Sequence, residues 1–304
     1  MAAPAFQGSG QRLSAFTLMD PTLFAFALGL GSAVTLAGAN TFVKAAKDIL
    51  GGRTVMTATG SILMLPAVFL TPLPNPKTWI ILGFSLPAHW LYQTALVRAL
   101  SRGDLSLVFP VMRGSAPMLT AIAAAIVLGE HLSPLAITGL VIASLATAMF
   151  ALPEKNFGGS RRVRNSALLW AVATGAGVAI YNVIDAQGVR SGPTQWSFIV
   201  WLFVLDWIGI STIMMVTRGP KEFVASAQRA LLPGIGAGVC STISFSMALY
   251  GFSIAPVAYM SAMRETAVVF AAIMGWWFLR EGFGARRTFA AVVMACGLTL
   301  LQFG

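Results

Sequence analysis

Charge is scarce in this chain. Asp, Glu, Lys and Arg together make up 10% of its 304 residues, against roughly 25% in a soluble globular domain, which excludes a folded body clothed in solvated side chains. Cysteine is almost absent. Cys240 and Cys296 both fall in apolar runs with no second ligand type at metal spacing, so they read as buried structural thiols and no metal site is expected. Histidine is equally rare: His89 and His131 stand far apart in the chain, poor material for the clustered nucleophile, base or metal ligands that a membrane-embedded enzyme would need. No catalytic residue and no cofactor is therefore expected. The first twenty residues lack the charged start, apolar middle and cleavage site of a secretory signal and read as a tail.

What the chain has in abundance is apolar sequence, 57% of all residues, with a mean hydropathy of +0.79. A bilayer core about 30 Å thick is crossed by about 20 apolar residues in a helix, whose backbone groups satisfy one another internally. The long runs here do not alternate as barrel strands would, so the expected class is an all-α integral membrane protein. A formal charge of +10 does not point to nucleic acid, because the basic residues are scattered among short loops rather than gathered on one face.

Windows bounded by proline, glycine and charge give ten spans. The first five lie near 21–44, 54–72, 79–99, 105–128 and 134–152; the second five near 166–188, 196–217, 231–252, 255–279 and 287–303. Between them PEKNFGGSRRVR, 153–164, is the most polar internal segment, and it divides the chain into a tail 1–20, a first repeat 21–152, a linker 153–164 and a second repeat 165–304. Fifteen Lys and Arg residues fall in the odd-numbered connections, and only Arg12, Lys77 and Arg190 on the opposite side. Short basic loops stay in the cytoplasm. The bias therefore predicts an inner (plasma) membrane protein with a cytoplasmic linker and both termini outside the cytoplasm.

Two further arginines, Arg113 and Arg264, lie inside spans. VMRGSAPMLTAIAAAIVLGE (111–130) and AMRETAVVFAAIMGWWFLRE (262–281) each carry Met-Arg near the start and close on glutamate, and both the arginines and the glutamates are offset by 151 residues. Five spans per half is an odd number, so the second copy enters the membrane in the opposite direction. The expectation is ten transmembrane helices as two inverted five-helix repeats.

The fourth span of each half also resembles a known family. Pro117 stands thirteen residues before Glu130 in a small-residue helix closing on Gly-Glu, and TALVRAL (94–100) and AGANTFVK (37–44) look like the family's third and first spans. The chain is similar to the EamA type of the drug/metabolite transporter superfamily, most of all to bacterial exporters of aromatic and neutral amino acids. Where members often carry a glutamate before that proline, this chain has Ala116. The resemblance implies a central cavity and export of small metabolites from the cytoplasm.

Arg113 and Arg264 each lie roughly 12–13 Å into their spans at 1.5 Å per residue, near the midplane where inverted-repeat transporters hold substrate. A buried guanidinium can grip a carboxylate through two parallel hydrogen bonds. It can equally pair with helix carbonyls or with Asp206 or Glu265. His89, Tyr92 and Gln93 share one face of the third span, with Trp90 as a neighbouring aromatic wall; that face turns to the bundle interior, either as cavity lining or as a packing network. Asn40 in the first span and Tyr181 with Asn182 in the sixth occupy related positions in the two halves. Asp206 and Glu265 are the deepest carboxylates by these boundaries and are candidates for proton coupling. Trp79, Trp170 and Trp196 read as interfacial anchors, and the Gly-x-x-x-Gly spacing in GIGAG (234–238) permits helix contact, including dimerisation.

These features favour a transporter of a small molecule, an amino acid foremost, embedded in lipid and working by alternating access. Drugs, sugars or nucleotide derivatives are the rival substrates, with a membrane enzyme as the rival class. A sensor or scaffold would call for a sizeable soluble domain. Oligomeric state is not legible.

Overall fold

A computed structural model describes residues 21–46, 48–100, 102, 105–150, 161–270, 273 and 285–303; the expected tail, most of the expected linker, Glu281 and much of the end of the ninth span lie outside the described residues. Among the described residues the chain is helical between short connections and contains no strand. The elements are α1 (Pro21–Ala45), α2 (Ile49–Met64, running on into a 3-10 turn, Leu65–Phe69), α3 (Pro76–Leu100), α4 (Leu105–Leu128), α5 (Pro134–Phe150), α6 (Arg161–Ser191), α7 (Gln195–Arg229), α8 (Leu231–Ile254), α9 (Val257–Glu265) and α10 (Ala285–Phe303). Six of them, α1, α3, α4, α6, α7 and α8, are long and apolar enough to cross a membrane, and α5 and α10 are shorter apolar helices. The protein is a multi-pass membrane protein.

Local chemistry sets the boundaries. Asp48 caps α2, accepting from the Gly51 amide at 3.1 Å, so the helix starts five residues before the expected span and carries Arg53 within it. Asn75 accepts from the Thr78 amide at 2.8 Å at the start of α3, and Thr194 caps α7 through the Ser197 amide at 3.3 Å. At the end of α4, Gly129 takes a φ of 68°, the left-handed stop that glycine adopts without steric cost. Gly219, with φ 77°, breaks α7 beyond the expected end at 217, and Pro220 restarts a helical turn that runs to Arg229. The last residues of the expected linker, from Arg161, already belong to α6.

The expected span 255–279 is interrupted. Thr266 donates both its amide (3.2 Å) and its hydroxyl (2.7 Å) to the Met263 carbonyl, tightening the chain at the end of α9 before it is helical again over 267–270. In contrast, α4 continues as helix through Pro117. Of the two thiols read as buried, Cys240 is half-buried and Cys296 is exposed on α10, because it lies on the outward face of a helix that packs inward through Met294 and Leu298.

Contacts between helices follow a repeating scheme. α1 packs on α8 as α3 packs on α6; α4 meets α6 as α9 meets α1; α2 meets α8 as α7 meets α3; and α2–α7, α4–α9 and α5–α10 pair across the two halves. Close approach is achieved by glycine. A Cβ on Gly234 or Gly238 of α8 would overlap Val55 and Thr59 of α2, so the Gly-x-x-x-Gly face is occupied within the chain, where van der Waals contact between small residues holds membrane helices together. Gly139 and Gly297 likewise bring α5 and α10 into backbone contact on the outside of the bundle.

The connections gather at two ends. At one, Asp48 pairs with Arg218 at 2.6 Å, while Arg98 and Arg102 lie over the Trp170 ring at 5.0 and 5.5 Å. At the other, the Asn75 amide donates to the Ser191 carbonyl at 2.8 Å and Arg190 pairs with Glu130 at 2.7 Å. Odd connections thus meet odd, and even meet even. The main apolar core, with Leu82, Val189, Phe198, Leu249, Phe252 and Met260, fills the bundle toward the even end.

Candidate functional site

Beyond that core, toward the odd end, the bundle opens around a polar cavity. Its lining runs from His89 and Tyr181 to Val43 and Arg53, and it draws on α1, α2, α3, α4, α6, α7, α8 and α9 but not on α5 or α10. Asn40, His89, Tyr92, Gln93, Arg113, Tyr181, Asp206 and Arg264 all line it. The face shared by His89, Tyr92 and Gln93 is therefore turned inward, where the cost of polar groups in lipid drives it.

The two intramembrane arginines are differently placed. Arg113 pairs with Glu265, Nη1 to Oε1 at 3.4 Å, with both side chains largely buried. The Arg264 guanidinium lies 5.2 Å from the Phe245 ring centroid, and among the described residues it forms no ion pair and its buried Nε has no hydrogen-bond partner. A cation stacked on an aromatic face retains only part of its solvation energy. Arg264 thus presents its guanidinium to the cavity without an ion-paired carboxylate among the described residues.

Aromatic rings wall this space. His89 stacks on Tyr181 at 4.2 Å and meets Phe245 edge-on at 5.5 Å, Tyr92 meets Tyr181 at 5.2 Å, and Phe203 meets Phe245 at 6.1 Å. Asp206, in the same lining, accepts from Gln93 Nε2 at 3.4 Å. Thus the cavity presents an unpaired guanidinium, a carboxylate and several ring faces.

Not every expected residue reaches the cavity. Trp90 turns toward α7, where its indole donates to the Asp206 carbonyl at 3.2 Å and fills the space left by Gly209; residue 90 lies about 100° around the helix from residue 89. Asn182 donates to Thr120 and Ser261, both at 3.4 Å, and faces a smaller adjoining cavity shared with Glu265. Arg113, Tyr92, Tyr181 and Arg264 border both spaces. Trp79 and Trp196 are partly exposed near the even end, as anchors should be.

Two residues escaped the sequence reading. Asp185, with zero exposure, is more deeply buried than Asp206; it accepts a short hydrogen bond from Ser85 and lies 2.9 Å from His89 Nε2. Its signal was its spacing, four residues after Tyr181 and three after Asn182 on one helical face. Arg53, counted with the basic loops, sits one turn into α2 and lies 5.8 Å from the Tyr92 ring centroid. No cluster that could hold a metal occurs among the described residues.

Residues 165–303 match the EamA-like transporter family. The matched stretch is 139 of the 304 residues and lies in the second half of the chain. No curated protein matches it. A protein of known crystal structure superposes with a TM-score of 0.71 over 91% of this chain and 95% of that one, at 14% identity. That likeness concerns fold alone. It extends to the first half, which the EamA match does not reach.

Proposed function

We propose that this protein exports small metabolites, neutral or aromatic amino acids foremost, from the cytoplasm by alternating access, with ten membrane spans arranged as two inverted five-helix repeats. The observation that carries the reading is the presence, in one cavity, of an Arg264 guanidinium that forms no ion pair among the described residues, the Asp206 carboxylate, and a wall of Tyr181, Phe203 and Phe245. An amino acid zwitterion matches that pattern. Its carboxylate meets Arg264, its ammonium meets Asp206, and an apolar or aromatic side chain meets the rings. Arg113, engaged by Glu265, shapes the floor beside Arg264 and acts as a gate or positioning residue. Asn40, Tyr92, His89 and Gln93 line the path, and Tyr181 with Asn182 spans the two cavities.

The inverted repeat is supported by the matched helix contacts, each of which recurs when the halves are exchanged. The basic bias of the odd connections supports a cytoplasmic location for the cavity's end of the bundle, with the apolar core at the even end facing the outside. Halves of opposite direction can exchange conformations, so this inward-open form has an outward-open counterpart around the same site.

The reading is tested by counterflow of labelled phenylalanine and leucine, with a sugar as control, in liposomes holding the purified chain. Saturable exchange of amino acids that Arg264→Ala abolishes fits it. Exchange of none of them, or amino-acid exchange indifferent to Arg264→Ala, overturns the substrate assignment.

A further inference from the structure

The cavity carries a third arginine that the transport reading leaves without a task. Arg53 lines the same space as Arg264, forms no ion pair among the described residues, and keeps a buried Nε without a hydrogen-bond partner. Its guanidinium carbon lies 5.8 Å from the Tyr92 ring centroid, much as that of Arg264 lies 5.2 Å from Phe245. Between these two rings stands Tyr181, 5.2 Å from Tyr92 and 6.1 Å from Phe245. The two arginines thus occupy opposite ends of one row of three rings. Their depths differ. Arg53 is four residues into α2, about 6 Å from the start of that helix at the odd end, whereas Phe245 is fourteen residues into α8, about 21 Å from a start at the same end. The two helices lie side by side in register, Gly234 against Val55 and Gly238 against Thr59, so both depths are measured from one level. We propose that Arg53 is an entry station, which takes the substrate's carboxylate at the odd end of the cavity and passes it along the rings to Arg264. This rests on the amino-acid transport reading above and leaves its final contacts unchanged.

The physical case lies in desolvation. A carboxylate that enters the bundle sheds water before it reaches Arg264, and a charged group without its hydration or a counter-charge is costly. A guanidinium at the entrance supplies charge-assisted hydrogen bonds at that point and lowers the barrier. Its hold is transient for two reasons. Asp206 lies within reach of the Arg53 charge and partly offsets it. Deeper in, the carboxylate on Arg264 is joined by the ammonium on Asp206 and by the faces of Tyr181, Phe203 and Phe245, so the inner position is the more stable. Arg53 is therefore a positioning residue: it changes the rates of entry and exit alike and leaves the equilibrium of the filled site alone.

The test separates rate from equilibrium. Binding of phenylalanine to the purified full chain is followed by stopped-flow tryptophan fluorescence, and its Kd is measured by equilibrium dialysis of the labelled amino acid. Arg53→Gln is expected to slow association about tenfold, as loss of a charge-assisted hydrogen bond at the barrier would, to slow dissociation equally, and to keep the Kd within twofold; Arg53→Lys should recover most of the rate. Phenylalaninol, which has the ring and the ammonium but no carboxylate, should associate with Arg53→Gln as fast as with the wild type. A comparison in the wild type needs no variant and stands even where Arg53→Gln does not fold: phenylalanine should associate about tenfold faster than phenylalaninol, and equal rates overturn the station. A Kd raised tenfold with association unchanged makes Arg53 part of the final site and overturns the station, as does binding that Arg53→Gln leaves untouched. Equal slowing of phenylalanine and phenylalaninol assigns Arg53 to the shape of the entrance and overturns it too. Phenylalanine that neither binds nor exchanges in the wild type overturns the substrate reading, and the station with it.

Discussion

Glu130 and Arg190 tie four helices together at the even end of the bundle. The carboxylate lies 2.7 Å from the Arg190 Nη2, and its second oxygen accepts from the Val257 amide at 2.8 Å; Arg190 also donates to the carbonyls of Phe252 (2.7 Å) and Ala255 (3.1 Å). One ion pair therefore satisfies backbone groups at the end of α8 and the start of α9, while anchored on α6 and the turn after α4. If this end parts during transport, these bonds must break.

The latch has a measurable consequence. Arg190→Ala removes bonds to the last carbonyls of α8 and leaves Glu130 without its counter-charge, worth about 1–3 kcal/mol in the balance between closed and open even ends. Opening should rise roughly 5- to 150-fold, by the usual conversion of such energies. With Cys240 and Cys296 replaced by alanine, a cysteine at Phe252 should react faster with an impermeant thiol reagent in Arg190→Ala than in its Arg190 parent. Equal rates would show that the pair holds the fold rather than a gate.

Arg113 and Arg264 should fail in different ways. Arg113→Ala leaves Glu265 buried without its hydrogen-bonded cation, at a cost of about 3 kcal/mol, and so lowers the thermal midpoint in detergent; Arg113→Ala with Glu265→Gln should recover most of it. Arg264→Lys keeps charge but loses the planar fork, and should raise the KM for phenylalanine about tenfold with the midpoint little changed. A fall in stability for Arg264→Lys as large as that for Arg113→Ala would place both arginines in packing roles.

Much of this cavity was legible before any coordinates, because polar side chains inside apolar spans have few places to go. His89, Tyr92 and Gln93 declared their face by spacing alone, and the two arginines by their cost in lipid. Asp185 was not legible, since its partner His89 stands 96 residues away on another helix and it lies three residues from the end of its expected span, 166–188. Arg53 was misplaced for a similar reason: the cap at Asp48, five residues earlier, begins α2 sooner than hydropathy suggests. Trp90 was assigned to the cavity on adjacency in sequence, yet a neighbour along a helix points elsewhere. The interruption after Glu265 depends on a threonine hydroxyl folding back on its own helix, a choice that composition does not reveal.

Gly209 should tolerate no side chain. A Cβ there would overlap the Trp90 indole, whose N–H holds the Asp206 carbonyl, so Gly209→Ala forces the ring aside at a cost of about 1–3 kcal/mol. Displacement of that ring should also disturb Asp206, which shares the backbone segment. The expected result is a lower midpoint together with weaker substrate affinity, and Trp90→Phe in the same background should restore part of the stability. A Gly209→Ala protein with unchanged midpoint and affinity would mean that α3 and α7 separate freely at this point.

At the odd end, Asp48 offers a test of pH dependence outside the membrane. Burial pushes its carboxyl up, but the Arg218 guanidinium and the Gly51 amide outweigh that and hold it below the usual carboxylate range. A lowered folded value means that the stabilisation is fully present above the unfolded value, about 3.9, and is lost as pH falls through the folded one. Because both side chains remain partly exposed, solvent screening limits the pair to about 0.5–1 kcal/mol. Asp48→Asn keeps a capping side chain for α2 but removes the charge, so its midpoint should lie slightly below wild type at pH 7 and converge on it toward pH 3. Asp48→Ala, which loses the cap as well, should remain lower across the whole range by a further ~1 kcal/mol. Parallel profiles for wild type and Asp48→Asn down to pH 3 would assign the clasp to the cap alone and leave Arg218 without a stabilising role there.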